Sequence, residues 1–252
     1  MAVTLITGGA GGIGVALGRH LAQQGHTPVL ADRDLDAARA AAEQIDGADA
    51  LAFDVADAAA CERGVQELVA RHGRIDGLAC CAGILLDFLP PAEYPFELFA
   101  RTLAVNLHGS FFTAQAAARA MIAGGEGGAI VLVSSGMSER VVSFADEDGQ
   151  VLANPAYGAS KAAVEHVTRE LSVAWAPHGI RVNCVSPGMF ETEMSRGARE
   201  TPEFLERYQQ HTSLRRHGQP HELAAVMAFL LSDAASYMTA AIVPVDGGYL
   251  AI

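Results

Sequence analysis

The chain has 252 residues, 50% of them hydrophobic, and a formal net charge of -12. This length and composition allow a sizeable core and fit one α/β domain, which we predict for residues 1–252. The acidic balance, without a basic cluster, excludes nucleic acid as an expected partner, and neither a signal peptide nor a membrane span is predicted, so we expect a soluble, cytoplasmic protein.

The four cysteines are placed without any metal-binding pattern. They form no C-x-x-C pair and have no histidine at the spacing of a zinc site. We therefore predict no metal, and expect small buried side chains in a reducing compartment at Cys61, Cys80, Cys81 and Cys184.

Short apolar runs alternate with segments of helical periodicity along the chain. Ile13, Leu17 and Leu21, for example, recur at i, i+4 and i+8. Apolar strands without a polar face, each followed by a helix, are typical of a parallel sheet covered on both sides. We predict a doubly wound, Rossmann-type α/β fold of about seven parallel strands. The strands are expected at residues 3–7, 28–31, 50–53, 77–80, 129–133, 180–185 and 241–245.

The first predicted strand leads into a glycine-rich stretch, TGGAGGIG, at residues 7–14. A turn of this kind lets the backbone approach a pyrophosphate, whose charge is met by free N–H groups at the helix start. The stretch fits two dinucleotide fingerprints that belong to enzyme families with different catalytic residues, so the rest of the chain must decide between them. G-x-G-x-x-G uses Gly9, Gly11 and Gly14, whereas T-G-x-x-x-G-x-G uses Thr7, Gly8, Gly12 and Gly14.

Acidic residues follow the second and third predicted strands. Asp32 stands where a carboxylate accepts hydrogen bonds from the adenosine ribose and repels a 2'-phosphate, which favours NAD over NADP. Arg33 leaves NADP open as the less favoured cofactor, because it can contact that phosphate if Asp32 turns aside. We expect Asp54 either to meet the adenine ring or to cap a helix that begins near Ala58.

A tyrosine and a lysine occur four residues apart in the segment YGASK. On a helix this spacing places the phenol of Tyr157 and the ammonium of Lys161 on one face. Tyrosine titrates near pH 10, so acid–base work near neutrality requires a pKa shift of about three units, or about 4 kcal/mol. A nearby cation is a natural source of that shift. The pair therefore predicts a proton-transfer site.

These motifs, in this order, resemble the short-chain dehydrogenase/reductase superfamily in its shorter, single-domain form. The resemblance covers essentially the whole chain and favours the T-G-x-x-x-G-x-G interpretation of the glycine stretch. The residues that carry it are TGGAGGIG, Asp32, Asp54, Ala82-Gly83, Asn106 in VNLHGSFF, IVLVSS ending at Ser135, YGASK, RVNCVSPG with Thr192 beyond it, and VDGG near the end.

The resemblance implies a catalytic tetrad of Asn106, Ser135, Tyr157 and Lys161. Tyr157 would exchange a proton with the substrate oxygen as hydride moves to or from the nicotinamide, and Ser135 would hold that oxygen. Lys161 would lower the pKa of Tyr157 and bind the nicotinamide ribose, while Asn106 would hold a water that relays protons. The implied cofactor contacts are Gly8, Gly12, Ile13, Gly14, Asp32, Asp54, Val55, Ala82, Gly83, Tyr157, Lys161, Pro187, Gly188 and Thr192.

Three of these residues also have purely structural interpretations. Ser135 could cap a turn, Asn106 could be a polar residue satisfied within a helix, and Pro187-Gly188 could form an ordinary turn. The ordered set of motifs favours the functional interpretation for each.

The chain departs from the family pattern before Ala82 and near the last strand. Cys80-Cys81 stands in place of Asn-Asn, which keeps room for the nicotinamide ribose but removes the hydrogen bonds of the asparagine. Thr239-Ala240 stands where the family frequently has Thr-Gly.

A longer segment also separates the catalytic serine and tyrosine. The 21 residues at 136–156 exceed the usual number and predict a longer loop beside the active site. A solvated surface loop is the favoured interpretation, and the alternative is selection of a cationic or polar substrate. The acidic residues concerned are Asp146, Glu147 and Asp148, and Ser134 and Ser138 are further candidates for the serine role.

The leading functional hypothesis is an NAD-dependent oxidoreductase that interconverts a secondary alcohol and a ketone. The alternatives are an NADPH-dependent 3-oxoacyl thioester reductase and a catalytically idle nucleotide-binding scaffold. The resemblance also implies a homotetramer paired through helices at residues 99–121 and 157–175. We predict a lid at about 189–216, whose apolar residues suit either contact with a medium-sized, partly apolar small molecule or a helix that packs on its own domain. These residues are Met189, Phe190, Met194, Phe204, Leu205 and Tyr208.

Overall fold

The structure is a computed structural model that describes residues 2–145 and 148–252. Within these residues, seven of the strands lie close to the predicted apolar runs. The strands are β1 (Val3–Thr7), β2 (Thr27–Asp32), β3 (Asp49–Ala52), β4 (Gly77–Cys80), β5 (Gly128–Val133), β6 (Ser143–Ala145), β7 (Val151–Ala153), β8 (Ile180–Pro187) and β9 (Ile242–Val245).

Helices follow most of the strands. Asp34 and Asp57 each accept backbone N–H groups at a helix start, which satisfies donors that have no partner inside the helix. The helices are α1 (Gly12–Gln23), α2 (Leu35–Ala42), α3 (Ala58–His72), α4 (Phe96–Leu103), α5 (Gly109–Gly124), α6 (Pro155–Trp175), α7 (Arg196–Arg199), α8 (Pro202–Gln210) and α9 (Pro220–Leu231).

Seven strands form one parallel sheet in the order β3-β2-β1-β4-β5-β8-β9. Helices α3, α5 and α6 pack on one face, and α1, α2 and α9 pack on the other. Neighbouring residues of β1 alternate between these cores, with Leu5 in the first and Ile6 in the second. This architecture confirms the predicted doubly wound fold.

The order of the strands reverses between β1 and β4. From β1 the chain moves outward through β2 and β3, and it then returns to β4 on the other side of β1. Ligands of open α/β sheets bind at the carboxyl ends of the strands beside such a switch point. Thr7 and Cys80, which end the two strands, are Cα partners, so the glycine stretch and Cys81 both lie at this crevice.

The described residues contain no helix that is long and apolar enough to cross a membrane. In the same part of the chain, no group of three or more His, Cys, Asp or Glu side chains is placed to hold a metal ion. Cys61, Cys80 and Cys184 are buried free thiols, whereas Cys81 is half-buried.

Candidate active site

The glycine stretch turns tightly from β1 into α1. Gly8 has a φ of +62°, and a Cβ there would lie 2.7 Å from the backbone nitrogen of Ala82, so the turn requires glycine. A Cβ at Gly14 would lie 2.5 Å from the carbonyl oxygen of Gly8. Because α1 begins at Gly12, the N–H groups of Gly12, Ile13 and Gly14 lack partners inside the helix. The stretch thus offers close backbone approach and three adjacent donors.

Asp32 lies beside this turn at the end of β2. One carboxylate oxygen accepts the N–H of Ala10 at 3.4 Å, and the other accepts the N–H of Asp34 at 3.4 Å. These bonds hold the carboxylate against the glycine stretch, where a ribose of a bound dinucleotide would meet it. Arg33 is exposed.

Asp54 and Val55 lie in the segment that follows β3, and Asp54 is exposed. Asp57 caps α3, because its carboxylate accepts the N–H groups of Ala59 and Ala60 at 2.8 and 3.1 Å. The interpretation of Asp54 as the helix cap is therefore wrong, since Asp57 immediately precedes the first helical residue. Val55 is buried.

Asn106 lies in a single turn of π-helix, Ala104–His108, that joins α4 to α5. Its side chain is fully buried, accepts the N–H of Ile84 at 2.8 Å, and donates to the carbonyl oxygen of Ile84 at 3.0 Å and to Ser160 Oγ at 3.1 Å. A Cβ at Gly83 would lie 3.4 Å from Asn106 Oδ1 and 3.5 Å from Lys161 Nζ. Asn106 and Lys161 therefore flank the backbone that follows β4.

Ser135 and Tyr157 meet at the carboxyl end of β5. Ser135 follows the strand, and its Oγ accepts the N–H of Met137 at 3.2 Å, so it does cap a short turn. Tyr157, on α6, is 7% exposed, and its side chain lines the same cavity as Ser135. Burial raises the pKa of the Tyr157 phenol, and the nearby Ser135 hydroxyl partly offsets this effect.

Lys161 lies one turn after Tyr157 and is 4% exposed. Its Nζ donates to the carbonyl oxygen of Val133 at 2.9 Å and lies 5.6 Å from the centroid of the Tyr157 ring. Burial lowers the pKa of Lys161 to about 8. Burial thus acts on both partners, and its effect on the Tyr157 pKa is opposite to the lowering expected from the nearby ammonium.

The other two candidate serines bind a buried carboxylate. Ser134 Oγ and Ser138 Oγ lie 2.7 and 2.5 Å from Glu165 Oε1, and Glu165 is 7% exposed. Ser138 Oγ also lies 2.7 Å from the carbonyl oxygen of Ser135. The hydroxyls of Ser134 and Ser138 are thus bonded to Glu165, whereas Ser135 Oγ is not.

The segment after β8 crosses the glycine stretch. β8 ends at Pro187, and a Cβ at Gly188 would lie 2.7 Å from Tyr208 Oη, so side chains larger than hydrogen do not fit there. A Cβ at Gly12 would lie 3.3 Å from Thr192 Cγ2. Thr192 is therefore next to the start of α1.

The side chains of Ser135, Tyr157 and Lys161 line a cavity of about 210 Å³. Five of the six predicted apolar residues of the 189–216 segment line it, and Leu205 does not. Asp32 and Asp54 lie outside it. The predicted residues in its walls are Ile13, Gly83, Ser135, Tyr157, Lys161, Pro187, Gly188, Met189, Phe190, Thr192, Met194, Phe204 and Tyr208.

The longer segment at 136–156 contains an antiparallel hairpin of β6 and β7. Ala153 of β7 bridges to Leu89, and Phe144 of β6 packs edge-on against Phe88 with 4.9 Å between ring centroids. Val142 and Phe144 line the cavity, so the interpretation as a solvated surface loop is wrong for these residues. Val142 and Phe144 lie in the cavity wall and not in solvent because removal of an apolar side chain from water is favourable. Asp146 and Glu147 lie outside the described residues.

Asn154 is a positioning residue that the sequence analysis missed. Its Oδ1 accepts the N–H of Tyr157 at 2.9 Å and the hydroxyl of Tyr94 at 3.1 Å. Its Nδ2 donates to the carbonyl oxygens of Leu86 and Asp87. Asn154 thus ties the catalytic helix α6 to the segment that follows β4. The available signal was an asparagine directly before a proline, which is typical of a helix start.

Comparisons with known proteins agree with this geometry. Residues 8–250 match a family described as "Enoyl-(Acyl carrier protein) reductase". Galactitol 2-dehydrogenase (L-tagatose-forming) from Cereibacter sphaeroides is 38% identical, over 98% of this chain and 94% of that protein. NAD-dependent glycerol dehydrogenase from Listeria innocua is also 38% identical, over 98% of this chain and 93% of that protein.

A similar solved structure is a gluconate 5-dehydrogenase from Burkholderia cenocepacia in complex with NADP and tartrate. It has a TM-score of 0.92 and 34% sequence identity, and the match covers 100% of this chain and 96% of that one. Both the NAD-dependent and the NADP-bound protein therefore resemble this chain along nearly its full length.

Proposed function

The chain belongs to the short-chain dehydrogenase/reductase superfamily and is an oxidoreductase of that family. We propose that it interconverts a secondary alcohol and a ketone and that NAD is its preferred cofactor. The observation that carries the proposal is that Ser135, Tyr157 and Lys161 line one wall of the 210 Å³ cavity, with Lys161 one helical turn after Tyr157.

The residues at the switch point fit a dinucleotide. A side chain at Gly8 or Gly14 would clash with the backbone around the turn, so glycine keeps the turn tight, and the N–H groups at the start of α1 suit a pyrophosphate. Gly83, Pro187, Gly188 and the nearby Thr192 would enclose the nicotinamide half, and Asp32 and Asp54 would lie at the adenosine half. When bound, the nicotinamide accepts or supplies the hydride.

Proton transfer would use the tetrad. Tyr157 would give its phenolic proton to the substrate oxygen during reduction and recover it during oxidation, and Ser135 would hold that oxygen with its hydroxyl. The ammonium of Lys161, 5.6 Å from the Tyr157 ring, would stabilise the phenolate formed in reduction. Asn106, which flanks Gly83 together with Lys161, would hold a relay water beside that ammonium.

The preference for NAD rests on Asp32. Its carboxylate, held by the N–H groups of Ala10 and Asp34, would accept bonds from ribose hydroxyls and repel a 2'-phosphate. Fluorescence titrations with NADH and NADPH test this assignment. We expect tighter binding of NADH, and a loss of that preference in Asp32→Ala. Tighter binding of NADPH by the wild-type chain, with loss of that preference in Arg33→Gln, would assign the pocket to NADP.

A second candidate is an NADPH-dependent 3-oxoacyl thioester reductase. The exposed Arg33 beside Asp32 and the apolar walls of the cavity favour it. The test is reduction of acetoacetyl-CoA with NADPH, measured beside reduction of simple ketones with NADH. An idle nucleotide-binding scaffold would bind the dinucleotide and turn over neither class of substrate.

The proposal also covers the class of substrate and the oligomeric state of the chain. The similar galactitol and glycerol dehydrogenases place polyols in the first substrate screen. Within the proposed single domain, we propose that residues 189–216 act as a lid, and that the chain is cytoplasmic and forms a homotetramer. Size-exclusion chromatography with light scattering tests the tetramer, and a monomer peak would contradict it.

A further inference from the structure

The walls of the cavity opposite Tyr157 are aromatic and aliphatic. Phe144 of the hairpin lies between two other rings, with centroid distances of 4.9 Å to Phe88 and 5.3 Å to Phe204. These rings come from three segments: the chain after β4, the hairpin and α8. Leu85 and Val142 extend the same apolar wall. Transfer of a hydrocarbon group from water to this surface would favour binding.

Part of the polar lining of this cavity is already used within the protein. Ser134 bonds to Glu165, and Ser195 Oγ lies 2.5 Å from the carbonyl oxygen of Phe190. Tyr208 Oη accepts the N–H of Met189 at 2.8 Å and keeps its own proton, and the hydroxyls of Thr192 and Tyr249 also line the cavity. A polyol, with a hydroxyl on every carbon, would place further hydroxyls against the aromatic wall, at about 1–3 kcal/mol for each one left without a partner. The aromatic side of the cavity therefore fits an apolar body better than a polyol.

A second cavity, of about 110 Å³, adjoins the first and has a basic lining. The two cavities share Val142, Phe144, Phe204, Tyr208 and Tyr249 in their walls. Among the described residues, the rest of the second lining contains three basic side chains and no carboxylate, in a chain with a net charge of -12. The basic residues are Arg140, Arg207 and His211.

Arg207 is the basic group most available to a ligand. Three other arginines of this region pair with glutamates: Arg196 with Glu193, Arg199 with Glu191, and Arg216 with Glu222. The guanidinium of Arg207, in contrast, makes no hydrogen bond or ion pair within residues 2–145 and 148–252.

Of the other two basic groups, Arg140 keeps donors as well. Arg140 Nη1 donates to the backbone oxygens of Tyr249 and Ile252, which leaves the rest of its guanidinium for another acceptor. His211 Nδ1 lies 2.8 Å from the carbonyl oxygen of Arg207, and a carbonyl can only accept, so Nδ1 carries the hydrogen and Nε2 of the neutral ring is an acceptor. The two guanidinium groups suit a carboxylate, and His211 does so only as an imidazolium.

We propose that the substrate is an oxo acid, or the corresponding hydroxy acid, with an apolar body between the reacting carbon and the carboxylate. This inference rests on the proposed function. The reacting oxygen would lie at Ser135 and Tyr157, the body would pack on Phe144, and the carboxylate would reach Arg207 in the second cavity. In the reduction, hydride from the reduced nicotinamide forms a C–H bond as the C=O π bond breaks, the Tyr157 proton goes to the oxygen, and the dinucleotide is oxidised.

A matched pair of ketones tests the assignment. 7-Oxooctanoate and 2-octanone share one carbon chain and differ only in a terminal carboxylate or methyl group. We expect kcat/KM for 7-oxooctanoate to exceed that for 2-octanone by about tenfold, as a charge-assisted hydrogen bond allows. Arg207→Gln should lower the value for 7-oxooctanoate to that for 2-octanone. Arg196→Gln, which removes one charge from the same segment but lines neither cavity, should keep the tenfold preference.

The same panel separates this inference from the proposed function. Equal kcat/KM for the two ketones in the wild-type chain, or an unchanged preference in Arg207→Gln, would overturn the carboxylate site. Faster turnover of sorbitol or galactitol than of either ketone's alcohol would overturn the substrate class while the proposed function stands. Dinucleotide binding without turnover of any alcohol or ketone would overturn the proposed function itself.

Discussion

Replacing Lys161 with methionine should stabilise the chain without its dinucleotide, although it should abolish turnover. Lys161 is the only lysine in the sequence and is 4% exposed. No carboxylate forms an ion pair with it in the part of the chain that the structure describes, and its Nζ donates to the carbonyl oxygen of Val133. Burial lowers the pKa of Lys161 from 10.5 to about 8. The folded chain therefore holds a proton that burial makes unfavourable.

The size of this effect follows from the two pKa values. The difference between 10.5 and about 8 corresponds to about 3 kcal/mol. Losing the hydrogen bond to Val133 costs about 1 kcal/mol, so we expect Lys161→Met to raise the free energy of unfolding by about 2 kcal/mol at neutral pH.

The effect should depend on pH in a stated direction. Below pH 8 both the folded and the unfolded chain hold the proton, so the full penalty applies to the wild type. Between 8 and 10.5 only the unfolded chain holds it, and wild-type stability from this group rises with pH. The advantage of Lys161→Met should therefore decrease through that window.

Urea denaturation at neutral pH and at about pH 10 measures both the gain in stability of Lys161→Met and its decrease with pH. Arg169→Met is the matched control, because it removes an exposed positive charge from the same helix and should change stability by less than about 0.5 kcal/mol. A Lys161→Met variant that is less stable than the wild type at neutral pH, or whose advantage does not change with pH, would contradict a penalty from the buried charge.

Three further substitutions test other parts of the structure. Tyr157→Phe should lower kcat by about 10²–10⁴-fold while the Kd for the dinucleotide is kept, and unchanged turnover in steady-state assays would contradict its role. Ala240 has a φ of +61°, so Ala240→Gly should relieve backbone strain and raise stability by up to about 1 kcal/mol, and a lower Tm would oppose this explanation. Asn154→Ala should cost about 2 kcal/mol in urea unfolding and lower kcat, because it removes the cap of α6 and three other hydrogen bonds. Asn154→Asp keeps the cap but loses the two bonds donated by the amide, so it should recover only part of kcat.

Local patterns were enough to predict the sheet. The inner strands of the parallel sheet are buried on both faces, as in β1 and β4, where every residue is buried, so their apolar runs are visible without tertiary information. The motif residues were predicted for the same reason: the turn at Gly8 and the helical spacing of Tyr157 and Lys161 depend on short segments of backbone. The unusual Thr239-Ala240 pair became interpretable only with the φ of Ala240.

The substrate side of the cavity depends on contacts between distant segments. Phe88, Phe144 and Phe204 are far apart in sequence and meet only in the folded chain. The strands of the hairpin have three residues each, which is too short for a periodicity signal. The basic lining of the second cavity likewise combines Arg140, which precedes the hairpin, with Arg207 on α8.

Burial also affects the protonation states of Tyr157 and Lys161, which cannot be predicted from the residue types alone. The sequence places a cation beside a phenol, and that proximity predicts a lower tyrosine pKa. In the fold both groups are nearly inaccessible, so burial raises the pKa of Tyr157 and lowers that of Lys161 to about 8. At neutral pH Tyr157 is consequently a proton donor and Lys161 a cation. Without bound ligand, the pair is in the protonation state that reduction of a ketone requires.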